Sequence, residues 1–299
     1  MQRLHRVQDG MGSLVGVEVE ATAAMEAFAD TGPLGEPYLT AWLLRVSARA
    51  ASGRHAEAVQ EYGEMVETAL PVFGPENPRL LWWRLGRATH LRYLNRLDEA
   101  EAECRTILGR SRRLWPMPKR YALRLAAMAQ TADVMNARGM HAKGEKQIRS
   151  ALREVLPGDV SHRVLNSLHL VLAGSLNGQH KHRNAEQALK RVRPADQFSR
   201  LSLHLGLGAA RLGLGRPDEA EADARQAVAI SGFGVGPSHY QIVRAGTFLG
   251  SVLAAQGRVD EAKRQLEVSV AAWEELFGAD HPRAVAAREE FARISREAG

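Results

Sequence analysis

The chain has 299 residues, 45% of them hydrophobic and 25% charged, with a net charge of +6 and a single cysteine. That is ample apolar material for a core, while the lone Cys104 excludes an internal disulfide framework and fits a reducing cytoplasm. No stretch approaches the roughly 18 apolar residues of a membrane span and no apolar run follows the basic N-terminus, so a soluble cytoplasmic protein without a membrane partner is expected.

In chain order, Val17, Ala21, Ala24, Met25 and Phe28 recur at helical spacing and predict a helix over about 14–30. Val15-Gly16-Val17-Glu18-Val19 taken alone could also pass for a strand. Thr31 to Pro37, with two Gly and two Pro, reads as a loop. Beyond it a short pattern returns. It stands as Gly53-Arg54-x-x-Glu57-Ala58, Gly215-Arg216-x-x-Glu219-Ala220 and Gly257-Arg258-x-x-Glu261-Ala262, with a weaker copy from Asn95 to Ala100 and degenerate copies ending at Gly144 and Ala185. The six end positions are 42, 44, 41, 35 and 42 residues apart. Such a period predicts helix pairs stacked in an elongated array, each repeat touching only its neighbours.

The residues of the pattern have physical reasons. Gly53, Gly139, Gly215 and Gly257 stand five residues before their end positions, where a helix must stop in a left-handed turn. Twelve residues before the end positions stand Val46, Ala88, Ala132, Ala173, Gly208 and Gly250, nearly all small, so two antiparallel helices can approach closely. His180 replaces the turn glycine in repeat four, whose second helix must be short because Pro194 follows. From Pro282 to Glu297, Val285, Ala287, Phe291 and Ile294 predict a closing helix.

The turn pattern, with the loops Phe73-Gly74-Pro75-Glu76-Asn77-Pro78 and Phe277-Gly278-Ala279-Asp280-His281-Pro282, resembles the tetratricopeptide repeat family over about residues 37–298. The 42-residue period is similar to the version in kinesin light chains and many bacterial proteins. The resemblance implies an all-α fold, a right-handed superhelical solenoid of helix-turn-helix repeats. Six repeats would span 37–281, preceded by an N-terminal segment (1–36) with a capping helix and followed by a C-terminal capping helix (282–299).

Motifs for catalysis are missing. There is no His-Glu-x-x-His, no phosphate loop, no Gly-x-Ser-x-Gly and no Cys-x-x-Cys. Gly206-Leu207-Gly208 falls where the repeat wants small residues, so packing explains it better than a dinucleotide loop. His180 and His182, two apart, do not share a helix face, and Cys104 occupies a core position. No metal, cofactor or enzymatic activity is expected.

The resemblance places the concave face on the first helix of each pair, at an i, i+3, i+4, i+7 ladder. It selects Trp82, Thr89, Arg92 and Tyr93 in repeat two, Gln130, Asp133 and Asn136 in repeat three, Asn177 in repeat four and Arg244 in repeat six. Of the adjacent pair, Trp83 is assigned to the core and Trp82 to the groove. Kinesin light chains hold a peptide backbone with Asn side chains on this face, for which Gln130, Asn136 and Asn177 are the comparable residues.

Charge is uneven. Residues 103–200 carry a net +12, against −4 before and −2 after. Arg112, Arg113, Lys119 and Arg120 surround Trp115 and Tyr121, and three readings stand open for them: a solvated outer face, a site for an acidic protein partner, or, least favoured, nucleic acid. The functional expectation is a non-enzymatic scaffold that binds a peptide or partner helix in its groove. The alternative is a ligand- or peptide-responsive regulator acting through a separate DNA-binding partner.

Overall fold

The computed structural model describes residues 14–111, 118–155, 160–194, 196–230 and 240–297. Among these it contains fourteen α-helices, one 3-10 turn and no strand. Helix α1 (Leu14–Ala27) takes in the Val15–Val19 segment, which settles its two readings in favour of helix, and a 3-10 turn (Ala29–Thr31) follows. Six helix pairs come next: α2 (Glu36–Ala51) with α3 (His55–Phe73), α4 (Pro78–Tyr93) with α5 (Leu97–Ser111), and α6 (Pro118–Ala137) with α7 (His141–Glu154). The last three are α8 (His162–Asn177) with α9 (His182–Leu189), α10 (Gln197–Gly213) with α11 (Pro217–Ile230), and α12 (Tyr240–Ala255) with α13 (Val259–Phe277). Helix α14 (Pro282–Glu297) packs on α13. The architecture is the all-α solenoid expected of the chain.

The pairs form for the reasons legible in their turns. Gly53 N–H reaches Ala50 O and Arg54 N–H reaches Arg49 O, the two bonds of a Schellman stop. The turn residue is left-handed in all six pairs, with φ of 59° at Asn95 and 58° at His180 where glycine is absent. Arg and Glu of the pattern pair across the first turn of the second helix, at 2.6 Å for Arg96–Glu99 and Arg258–Glu261. The end positions Ala58, Ala100, Ala220 and Ala262 are fully buried. At Gly208 an added Cβ would lie 2.6 Å from the Phe248 ring of the next repeat, and at Gly250 it would lie 2.7 Å from Leu266, so these small residues leave the space that neighbouring side chains fill.

A buried carboxylate three residues after the end position ties first helix to second in three repeats. Glu61 accepts from Trp42 Nε1 at 3.0 Å and pairs with Arg45 and Arg49. Glu103 pairs with Arg84 and Arg87 at 2.7 and 2.8 Å, and Asp223 with Arg211 at 2.6 Å. Much of the positive charge is thus used inside the framework.

One expectation fails. The repeats do not touch only their neighbours, because the two ends of the array meet. His281, in the loop before α14, donates from Nε2 to the Tyr93 carbonyl at 3.1 Å, 188 residues away in sequence. The Tyr93 and Tyr240 rings lie 4.3 Å apart, and His55 stacks on Phe277 at 5.7 Å. Tyr93 joins Tyr240, Trp273, Ala284 and Ala287 in one apolar cluster. Six repeats therefore complete a turn of the superhelix, and the chain is a ring.

Candidate binding cavity

Thr89, Arg92 and Tyr93 share a face of α4 because residues three and four apart are helical neighbours. On the ring this face points inward, onto a central cavity of about 660 Å³. Gln130, Asp133 and Asn136 of α6, Asn177 of α8 and Arg244 of α12 line the same cavity. Eight of the nine expected groove residues are thus brought together.

Trp82 is the exception. It is 41% exposed while Trp83 is 4% exposed, so their division between surface and core holds. Trp82 nevertheless stands eleven residues before Tyr93, about 16 Å along the α4 axis, and does not line the cavity.

The three amides are not free to clamp a peptide. Gln130 Nε2 donates to the Ala88 carbonyl of the preceding repeat at 3.3 Å. Asn136 Nδ2 donates to Val171 O at 3.4 Å and its Oδ1 accepts from Ser175 Oγ at 2.9 Å. Asn177 Nδ2 donates to Gly206 O at 3.1 Å. Each bridges neighbouring first helices and fixes their spacing.

Sequence reasoning missed Tyr240, Phe198, Arg163 and Arg283, which also line the cavity. Tyr240 opens α12, 22 residues before its end position and outside the stripe the repeat defines. Arg283 belongs to the closing helix, which has no second helix to number it by. Their only sequence signal is position: both stand in the first turn of a helix on the C-terminal side of the seam.

Charge dominates the seam. Arg92 pairs with Asp133 at 3.2 Å and lies 4.5 Å over the Tyr93 ring. Burial works against its charge, but Asp133 with the Tyr93 and Tyr240 hydroxyls outweighs that and holds its pKa above the ordinary arginine value. Arg283 lies 4.8 Å from the Tyr240 ring centre and 5.5 Å from that of Trp273. Burial, with Arg244 and Arg92 nearby, pulls its pKa down despite Tyr240. Burial alone would raise the Tyr240 hydroxyl, yet Arg283, Arg244 and Arg92 together bring it below the usual tyrosine value. Burial raises Tyr93.

Elsewhere the chemistry is structural. Cys104 is buried, and burial pushes its thiol up to about 12, which leaves no thiolate near neutral pH. Among the described residues no group of three His, Cys, Asp or Glu could hold a metal, and no helix is long and apolar enough to cross a membrane. Of the basic group, Arg112 and Arg113 lie outside the described residues, and Lys119 and Arg120 fall in the first turn of α6. Several neighbouring cations are paired between helices, as Arg124 with Glu154 at 3.1 Å and Lys181 with Glu145 at 2.9 Å.

Comparison with known proteins agrees with this architecture. Residues 247–283 match the family model described as tetratricopeptide repeat. No curated protein matches the chain in sequence. A Rap protein complexed with Competence and Sporulation Factor is similar in structure, with a TM-score of 0.61, 14% identity, and 98% of this chain and 86% of that one covered. A tetratricopeptide repeat protein from Parabacteroides merdae gives 0.55 at 13% identity, covering 98% of both chains. A thermophilic protein of the same repeat type from Thermus thermophilus gives 0.50 at 18%, covering 72% of this chain and 99% of that one.

Proposed function

Starting from a tetratricopeptide-repeat solenoid closed on itself, we propose that the ring is a non-enzymatic binding module that holds a short peptide, or an exposed end of a partner protein, in its central cavity. The observation that carries this reading is the convergence of eight groove residues from four repeats on one polar cavity. About 660 Å³ lies within the range of specific ligand sites. The walls offer an exposed aromatic ring at Phe198, hydroxyls at Thr89, Ser167 and Ser202, and a cationic end at the seam. With the amides engaged between helices, recognition falls to these groups and to shape.

The fold neighbour solved with Competence and Sporulation Factor adds support, since it carries a bound factor on the same kind of solenoid. The test is retention of a random pentapeptide library after gel filtration, read by mass spectrometry. Wild type is expected to retain a subset that Ser202→Trp and Ala209→Trp, which fill the cavity, release while keeping the helical spectrum. Equal retention by wild type and filled variants would move binding to the outer face.

The regulatory alternative gains one specific observation, the closure itself. The seam joins repeats one and two to repeat six through side chains and a single bond to a carbonyl. An occupant that touches both sides would change ring opening, and an outer partner could read that change. A DNA-binding partner is one candidate for such a reader.

A further inference from the structure

The seam collects positive charge that the protein itself does not neutralise. Four arginines and two aspartates line the cavity, and three of the arginines meet around Tyr240. Arg92 comes from α4 on one side of the seam, Arg244 from α12 and Arg283 from α14 on the other. Only Arg92 has a carboxylate partner, Asp133; among the described residues neither Arg244 nor Arg283 has one. The Arg92 side chain is 11% exposed, and its Nε is buried without a hydrogen-bond acceptor. Arg283 places its guanidinium carbon 4.8 Å from the Tyr240 ring centre and 5.5 Å from that of Trp273, contacts with ring faces that give its N–H groups no acceptor oxygen.

We propose that Arg92, Arg244 and Arg283 form a carboxylate site at the seam, and that the acidic group of a bound peptide bridges the two ends of the ring and holds it closed. The proposal rests on the reading that a peptide occupies the cavity. A planar carboxylate suits guanidinium edges, which can donate two parallel N–H bonds to it. It would neutralise the repulsion among three partly buried cations, and it would do so only in the closed ring, because the donors come from opposite ends of the array. The lowered pKa of Tyr240, which Arg283, Arg244 and Arg92 bring down against burial, agrees with a positive field at that point.

The carboxylate has two sources, a peptide C-terminus or an Asp or Glu side chain, and three libraries separate them. One has a free C-terminus and no Asp or Glu, the second is amidated and contains Asp and Glu, and the third is amidated and lacks both. Wild type is expected to retain the first or the second about 10- to 100-fold over the third. Arg244→Gln and Arg283→Gln should abolish that preference while still retaining peptides weakly. Ring closure, followed by the distance between two labels across the seam, should rise with the preferred library and not with the third. Retention without any carboxylate preference overturns this site and leaves the cavity reading standing. No retention by wild type removes both. Closure raised equally by inorganic phosphate would overturn the assignment to a carboxylate.

Discussion

Replacing His281 by alanine should open the ring, and the structure sets the size of the effect. The ring nitrogens have fixed roles: Nε2–H donates to Tyr93 O at 3.1 Å, and Nδ1 accepts from the Arg283 backbone N–H at 3.3 Å. This is a neutral imidazole, stacked on Phe277 at 4.6 Å. Only the bond to Tyr93 O crosses the seam, since Phe277 lies on the same side as His281 and keeps its place in the open form, so the lost hydrogen bond removes about 1 kcal/mol of closure. About 1 kcal/mol shifts the balance roughly 5-fold toward the open form. Acid acts in the same direction. Burial, with Arg283 beside it, lowers the His281 pKa from 6.5, although its bond to Tyr93 O opposes this. A histidine held neutral contributes fully above its solvated pKa and less as pH falls below 6.5 toward the depressed value. Fluorophores can be placed at Val72→Cys on α3 and Val268→Cys on α13, both well exposed in wild type and carried by helices from opposite sides of the seam. Cys104 is buried and will not take label. Transfer efficiency should fall in His281→Ala at pH 7.5, and in the His281-containing labelled protein between pH 7.5 and 5.5. An unchanged distance distribution in both cases would refute the argument that this histidine holds the ring shut.

Overpacking tests the repeat geometry: Gly208→Leu or Ala220→Leu should cost about 1–3 kcal/mol in thermal melts, since even a Cβ at 208 meets Phe248 at 2.6 Å. Melts without loss would remove the close-approach argument. His180→Gly should raise stability by about 1 kcal/mol, because a side chain at φ 58° is strained, and a neutral or lower melt would show that the histidine has a compensating contact. Hydrogen bonds from Lys181, Arg149 and Gln179 outweigh burial and hold the Glu145 carboxyl at about 2. Its contribution is therefore present above pH 4.5 and lost as pH falls toward 2, and Glu145→Gln should flatten acid denaturation over that window. Trp82→Ala should leave peptide retention unchanged, because Trp82 lies outside the cavity; lost retention would extend the site down α4.

The repeat was readable because its requirements are local. A left-handed turn, a small residue that makes room for a neighbouring side chain and an Arg–Glu pair three apart each leave a mark at fixed spacing, and even Asn95 and His180 stand where the glycine period puts them. The inward face was readable for the same reason, since helical period decides which side chains share a stripe. A shared stripe does not mean a shared height along the axis, and so Trp82 was placed with Tyr93 although about three helical turns separate them. Nor does it show what an inward amide already bonds. Gln130, Asn136 and Asn177 look like recognition groups in sequence and are ties between helices in the fold. Closure was illegible altogether, because it depends on a small rotation per repeat summed over six repeats of unequal length.

That summed rotation gives the seam its character. Its contacts include rings, the histidine bond, a hydrogen bond between Arg92 and Tyr240 and the packing of Tyr240 against Tyr93, with no shared helix pair of the kind that joins neighbouring repeats. Closing brings Arg244 and Arg283 up to Arg92, so the same step that gains aromatic contact gathers like charge. The two effects oppose each other, and the net preference for the closed ring is smaller than the aromatic packing alone suggests. A ligand can shift such a balance only by binding one state better than the other. An anion held between Arg92 and the two arginines across the seam meets that condition by geometry, since its full set of donors exists only when the ends touch. The charge that weakens the empty ring is therefore the feature that would make the ring respond to what it holds.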